Sequence, residues 1–150
     1  MSELPASGRF EGREHVLPVR VYYENTDLTG VVYHAEYLRF LERGRTEFLR
    51  SAGFGHAEHL EGEAPTAFAV TRMALRWLKP ARVDDALTVR TAYDRLKGAR
   101  ISGWQRVWKD GELLLEAEVE AVCITPQGRP KRAPAPLIEA LSPYLLPDAG

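Results

Sequence analysis

The chain has one cysteine, Cys123, which excludes an intramolecular disulfide and a cysteine-based zinc site. Cys123 stands in an alternating apolar run, where a small buried residue is the expected role. An excess of charge is also missing: 20 basic and 21 acidic residues leave a net charge of −1. There is thus no global basic field to attract nucleic acid or an anionic membrane surface. No apolar run approaches the ~18 residues of a membrane span, so no integral membrane association is expected. The opening stretch MSELPASGRFEGREH lacks the apolar core of a signal peptide, and the expected location is cytoplasmic. No G-x-S-x-G elbow, Walker motif or dinucleotide fingerprint occurs, which argues against three common enzyme classes.

What is present reads as one globular domain over residues 1–150, with 45% hydrophobic and 27% charged residues. Residues 1–14 are polar and expected to be flexible. Val19 to Tyr23, β-branched and aromatic after Pro18, predicts a strand. Asn25 to Gly30 predicts a turn. From about Ala35 to Ala52, Tyr37, Phe40, Leu41, Phe48 and Leu49 recur at helical spacing, and Gly53 fits the stop. Gly44 falls on the same face. A mid-helix glycine costs about 1 kcal/mol, so close packing on a sheet is the expected reason for it. Gly55 to Pro65 reads as an acidic loop.

Four strand-like runs follow: Thr66–Leu78, Asp85–Leu96, Arg100–Lys109 and Leu113–Thr125. In the last, Leu115, Ala117, Val119, Ala121 and Cys123 alternate with Glu116, Glu118 and Glu120, a period of two that suits only a strand. Asp110-Gly111 predicts a tight hairpin turn. A simple two-residue turn there puts Trp104 and Trp108 on the face of Leu113, Leu115 and Ala117. Residues 126–150 form a C-terminal extension, Pro-rich and basic at first, with a short helix expected over Leu137 to Leu141. The expected architecture is α+β: a five-stranded antiparallel sheet wrapped around one long central helix, the hotdog arrangement. A long unpaired edge strand invites pairing with a second copy, so a homodimer is expected.

The segment Arg20 to Arg45 concentrates the chemistry. Asp27 lies in the turn before the helix. For an Asp beside Thr26, spacing alone favours a turn or helix-capping residue over a catalytic one. A hydrolytic reading needs a carboxylate, an oxyanion donor and an apolar approach. Asp27 would supply the first. The His34 backbone amide at the helix start would be a free donor aided by the helix dipole, and Val31, Val32 and Tyr33 would line the approach. Gly30 would let backbone or ligand pass closely. The His34 side chain is open to several roles. His56 and His59 have no evident third partner for a metal, and none is expected. Lys97, Arg100, Arg129, Lys131 and Arg132 are either solvated charges or phosphate contacts.

The stretch VRVYYENTDLTGVVYHAEYLRFLERGRTEFLR closely resembles the start of the YbgC-like acyl-CoA thioesterases, in the 4-hydroxybenzoyl-CoA thioesterase branch of the hotdog superfamily. FAVTRMALRWLKPARVDDALTV and WQRVWKDGELLLEAEVEAVCITPQGRPKR extend the resemblance over about Leu17 to Pro136. The resemblance implies hydrolysis of acyl-CoA thioesters by a homodimer or homotetramer, with no cofactor beyond the coenzyme A of the substrate. It implies Asp27 as catalytic acid, with His34 and Tyr23 beside it and the His34 amide polarising the thioester carbonyl. Pantetheine would enter at the subunit interface, with Lys97, Arg100 and Arg132 as candidate phosphate contacts. Two departures stand out. Asn25 replaces a common acid, and Leu28-Thr29 replaces a small pair, so Leu28 and Thr29 are expected to reshape the acyl pocket. A hotdog hydratase or dehydratase and a non-catalytic acyl-binding module are the rival readings.

Overall fold

The structure, a computed structural model, describes residues 2–147. The strands are β1 (Arg9–Glu11), β2 (Glu14–Arg20), β3 (Ala67–Trp77), β4 (Ala86–Lys97), β5 (Arg100–Lys109) and β6 (Glu112–Ile124). They form one antiparallel sheet in the order β1-β2-β4-β5-β6-β3. The helices are α1 (Tyr37–Ser51), α2 (His56–Leu60) and α3 (Ala135–Leu141). One long helix against an antiparallel sheet is the expected hotdog arrangement, but with six strands rather than five.

The extra strand, β1, falls in the N-terminal segment expected to be flexible. Three residues are too few to show a period of two. Its hold comes from side chains distant in sequence: Phe10 stacks on Tyr144 at 3.7 Å and meets Phe48 edge-on at 5.0 Å. The strand expected from Val19 instead begins at Glu14 and ends at Arg20. Pro18 is tolerated inside β2 because β1 pairs only as far as Val16, leaving one side of Pro18 free of a ladder partner.

The inner face of α1 buries Tyr37, Phe40, Leu41, Gly44, Phe48 and Leu49, each large apolar side chain contributing about 1.5–3 kcal/mol. Gly44 has the predicted reason. A Cβ there would lie 2.7 Å from Val89 Cγ1 and 3.0 Å from Thr91 Oγ1. Beneath it the buried Gln105 is fully occupied. Its Nε2 donates to the Leu41 carbonyl (2.8 Å) and Thr91 Oγ1 (2.9 Å), and its Oε1 accepts from Arg45 (2.9 Å).

Asp110 and Gly111 both have positive φ, +48° and +77°, as the tight hairpin requires. The face assignment beyond it is corrected by a bulge. Trp108 pairs with Leu113, but Val107 pairs with Leu115, so Leu114 is an extra residue in β6. Leu115 and Ala117 therefore share the inner face with Val107 and Gln105, while Trp104 lies opposite Glu118 on the outer face beneath the Arg106 guanidinium.

The loop expected over Gly55 to Pro65 contains α2. His59 stacks on Phe54 at 3.7 Å and His56 meets Phe68 edge-on. The C-terminal extension returns to the body. Leu137 and Leu141 of α3 are buried with Phe48 and Ile101, and Lys131 Nζ donates to the Ala64 carbonyl and Thr66 Oγ1. Lys131 is thus a tie for the loop before β3, not a free phosphate contact. Among the described residues no helix is long and apolar enough to cross a membrane.

Candidate active site

Between β2 and α1 the chain makes two 3-10 turns, Tyr23–Asn25 and His34–Glu36, with a closed loop between them. The loop closes because Thr26 and Val32 bridge, Asp27 N–H donates to the Val31 carbonyl (2.9 Å), and Gly30 takes φ +81°. A single segment after β3 braces it from outside. Val32 N–H donates to the Ala81 carbonyl (2.9 Å), Val83 N–H to the Gly30 carbonyl (3.0 Å), and Ala81 N–H to the Tyr37 hydroxyl (3.0 Å). The loop is exposed in position but fixed in shape.

Asp27 sits at its tip. Oδ1 accepts from the Thr29 hydroxyl (2.6 Å) and the Thr29 N–H (2.7 Å). These bonds favour the charged form. The Thr29 hydroxyl first, then its amide, hold the carboxyl below the usual carboxylate range. Thr29, expected to shape an acyl pocket, instead holds the Asp27 carboxylate. Replacing Thr29 with Ala removes the stronger donor, so the protonated form becomes relatively better and the carboxyl titrates at higher pH. The Asp27 carboxyl carbon followed by NMR across acid pH shows this as an upward midpoint; an unmoved midpoint would mean the hydroxyl does nothing.

His34 opens the second 3-10 turn. Its N–H has no acceptor among the described residues, the condition of a helix-start donor. The Tyr33 carbonyl accepts from Glu36 N–H (2.8 Å), and the His34 carbonyl accepts from Trp77 Nε1 (3.2 Å). The His34 imidazole is exposed beside Tyr33 and Trp77. A hollow of about 260 Å³ lies here, bounded by Val32, His34, Tyr37, Trp77, Leu78 and Lys79. A larger groove of about 650 Å³ between β2 and the outer face of α1 includes neither Asp27 nor His34.

Other candidates are placed differently from expectation. Tyr23 is outside any strand and largely exposed. Its carbonyl, not its hydroxyl, is engaged, accepting from Thr26 N–H (3.0 Å) and Oγ1 (2.7 Å). Leu28 projects fully into solvent at 105% exposure and borders neither the hollow nor the groove. Val32 is buried, while Val31 bridges to Arg82. Asn25 is turned inward, accepting from Tyr22 N–H (2.8 Å) and donating to Glu36 Oε2 (3.2 Å). An acid at that position would face the Glu36 carboxylate, which explains the amide. Asn25–Glu36 and Trp77 are the residues that sequence spacing gave no means of finding.

Lys97, Arg100 and Arg132 do come together. Lys97 and Arg100 face each other across the β4–β5 turn, and Ala133 N–H donates to the Gly98 carbonyl (2.9 Å), setting Arg132 beside it. Arg100 lies 3.7 Å from Glu120. This cluster is at the other end of the sheet from His34. Arg100 pairs with Val122 of β6 and Trp77 with Leu115, a separation of roughly 23 Å along the strand.

The family model described as the thioesterase-like superfamily matches residues 21–142. An acyl-CoA thioesterase YbgC from Haemophilus influenzae is 46% identical over 107 residues, which span 71% of this chain and 78% of that protein. An acyl-CoA thioester hydrolase YbgC from Escherichia coli O6:H1 is 42% identical over 123 residues, 81% and 90% of the two chains. The crystal structure of a probable thioesterase from Bartonella henselae is similar with a TM-score of 0.78 at 41% identity, covering 81% of this chain and 99% of that one.

Proposed function

Since the chain belongs to the thioesterase-like superfamily, in its YbgC-like branch, and is a thioester hydrolase, we propose that it cleaves acyl-CoA thioesters with Asp27 as the working carboxylate. The observation that carries this is the Asp27 loop. It presents a carboxylate held ionised by Thr29, and it leads directly into a helix start whose His34 N–H is unoccupied.

In this reading the His34 N–H donates to the thioester carbonyl oxygen as that atom gains charge. One such donor is worth about 3 kcal/mol of transition-state stabilisation. Asp27 either attacks the carbonyl carbon, giving a mixed anhydride, or takes a proton from the attacking water. On either route the tetrahedral intermediate collapses with cleavage of the C–S bond, and CoA leaves as the thiolate. On the attack route water then hydrolyses the mixed anhydride, releasing the acid and freeing Asp27. Tyr23 and the His34 imidazole, both exposed beside the loop, orient water or substrate.

The site is completed by a second copy. β3 pairs with β6 along one side only, leaving eleven residues with an open edge. Antiparallel pairing of two β3 strands sets the Trp77 end of one against the Ala67 end of the other. The partner's Lys97, Arg100 and Arg132 then stand about three strand spacings away, roughly 14 Å. An extended pantetheine arm spans that distance, so one chain's Asp27 would work with its partner's basic cluster.

Thiol release from short, long and aromatic acyl-CoAs, followed with a thiol-trapping dye, tests the function. At least one series is expected to turn over. Hydration of an enoyl-CoA without thiol release would assign the hydratase reading instead, and tight acyl-CoA binding with neither reaction would make the protein an acyl carrier.

A further inference from the structure

We infer that Trp77 is a positioning residue for the oxyanion donor: its indole N–H locks the peptide that follows His34 and so aims the His34 amide. The inference rests on the proposed role of that amide. It goes beyond it by naming what holds the amide in place.

Three peptide units set the direction of the His34 N–H. Before it, Tyr33 N–H is tied to the Asn25 carbonyl (3.0 Å). The peptide that carries the His34 N–H has its own oxygen, the Tyr33 carbonyl, fixed by Glu36 N–H (2.8 Å), so the N–H must point the opposite way. After it, the His34 carbonyl is held by Trp77 Nε1 at 3.2 Å. The first two ties come from within the loop and first turn. The third comes from the end of β3, 43 residues away, and is the one that references the turn to the sheet.

Trp77 suits this task for physical reasons. It is the last residue of β3, where the strand leaves its ladder with β6, so its backbone is fixed by the Leu115 pairing. Its indole has one donor and no acceptor, so the bond has a single polarity. The ring also lies edge-on to the His34 imidazole, with centroids 6.1 Å apart. The next residues continue the grip, since the Leu78 and Lys79 N–H groups both donate to the Leu114 carbonyl, at 2.8 and 3.1 Å. Trp77 is half-exposed within one chain, and its one polar side-chain atom is engaged by the His34 carbonyl.

The alternative is that the ring serves only as a wall of the hollow beside His34. Two variants separate these. Trp77→Phe keeps an aromatic ring and loses the donor. Replacement of Trp77 by benzothienylalanine keeps the shape and puts sulfur where the N–H was. In the full-length protein, with the acyl-CoA that proves the best substrate, both variants are expected to lose kcat by about 3–10-fold, the effect of one net hydrogen bond. KM is expected to stay within about twofold and Tm to be unchanged. Benzothienylalanine at wild-type kcat overturns the proposal, even if Trp77→Phe is impaired, since the ring alone would then suffice. So does a change confined to KM or to acyl-length preference. Asp27→Asn is assayed alongside. If it abolishes turnover while the isostere is normal, only the Trp77 inference fails. If it is fully active, the reading of the site fails and takes this inference with it.

Discussion

Asp27→Asn is expected to lower kcat by about 10²–10⁴ with the fold and the assembly unchanged. The side chain is exposed, and its bonds run to Thr29 two residues on, so nothing in the core depends on its charge. Asn keeps an oxygen for the Thr29 N–H and hydroxyl, and the loop stays closed through Thr26–Val32 and Asp27 N–H to Val31. What is lost is basicity and nucleophilicity. The His34 amide still polarises the carbonyl, so a residual rate above water remains. The pH dependence has a definite sign. A carboxyl held below its ordinary value stays charged as pH falls, so the midpoint of the acid limb of the wild-type profile is expected to lie below the usual carboxylate value of ~3.9. Single-turnover reaction in ¹⁸O-labelled water tests for attack. Label recovered in the Asp27 carboxyl establishes it. Label only in the free acid arises either from base catalysis or from water opening the anhydride at its acyl carbon, and trapping of the anhydride by hydroxylamine divides those two. Near-wild-type turnover in a folded Asp27→Asn protein would remove Asp27 from the chemistry altogether.

How much of this was readable beforehand depends on the range of the interactions. α1, Gly44 and the four strands after it follow from periodicity and turn chemistry, which act within a few residues. The bulge at Leu114 was hidden because three leucines in a row, Leu113 to Leu115, carry no alternation to mark it. Leu114 and Leu115 are both buried, and the extra residue puts Trp104 and Trp108 on the face opposite Leu115 and Ala117. β1 was hidden because its stability comes from Phe10 meeting Phe48 and Tyr144, contacts that no window of sequence contains. At the site, Asp27 stood out from family resemblance more than from spacing. The clasp by Thr29 is local, and the Asp-x-Thr pattern of an Asx turn could have revealed it. The Trp77–His34 and Asn25–Glu36 bonds join residues 43 and 11 positions apart, and only the fold brings them together.

The proposed sharing of the site between two chains predicts the other large effect, recovery of activity by mixing two defective proteins. A variant carrying Lys97→Glu, Arg100→Glu and Arg132→Glu keeps Asp27 but repels the substrate's phosphates, and a large rise in KM is expected. An Asp27→Asn protein keeps its basic cluster and loses kcat. In a mixed dimer whose sites pair one chain's Asp27 with the other's cations, one site carries both defects and the other carries neither. Co-expressed chains with two different tags, purified through both, are therefore expected to regain about half of the wild-type kcat per dimer, at wild-type KM. The reverse geometry, with Asp27 served by the cations of its own chain, gives one dead site and one weak site in every mixed dimer, and no recovery at low substrate. The roughly 23 Å between Arg100 and the Trp77 end within one chain argues for recovery. A charge placed on the open edge, Val70→Lys, should weaken the pairing and take the recovered activity with it, because an isolated chain holds the carboxylate and the cations at opposite ends of its sheet.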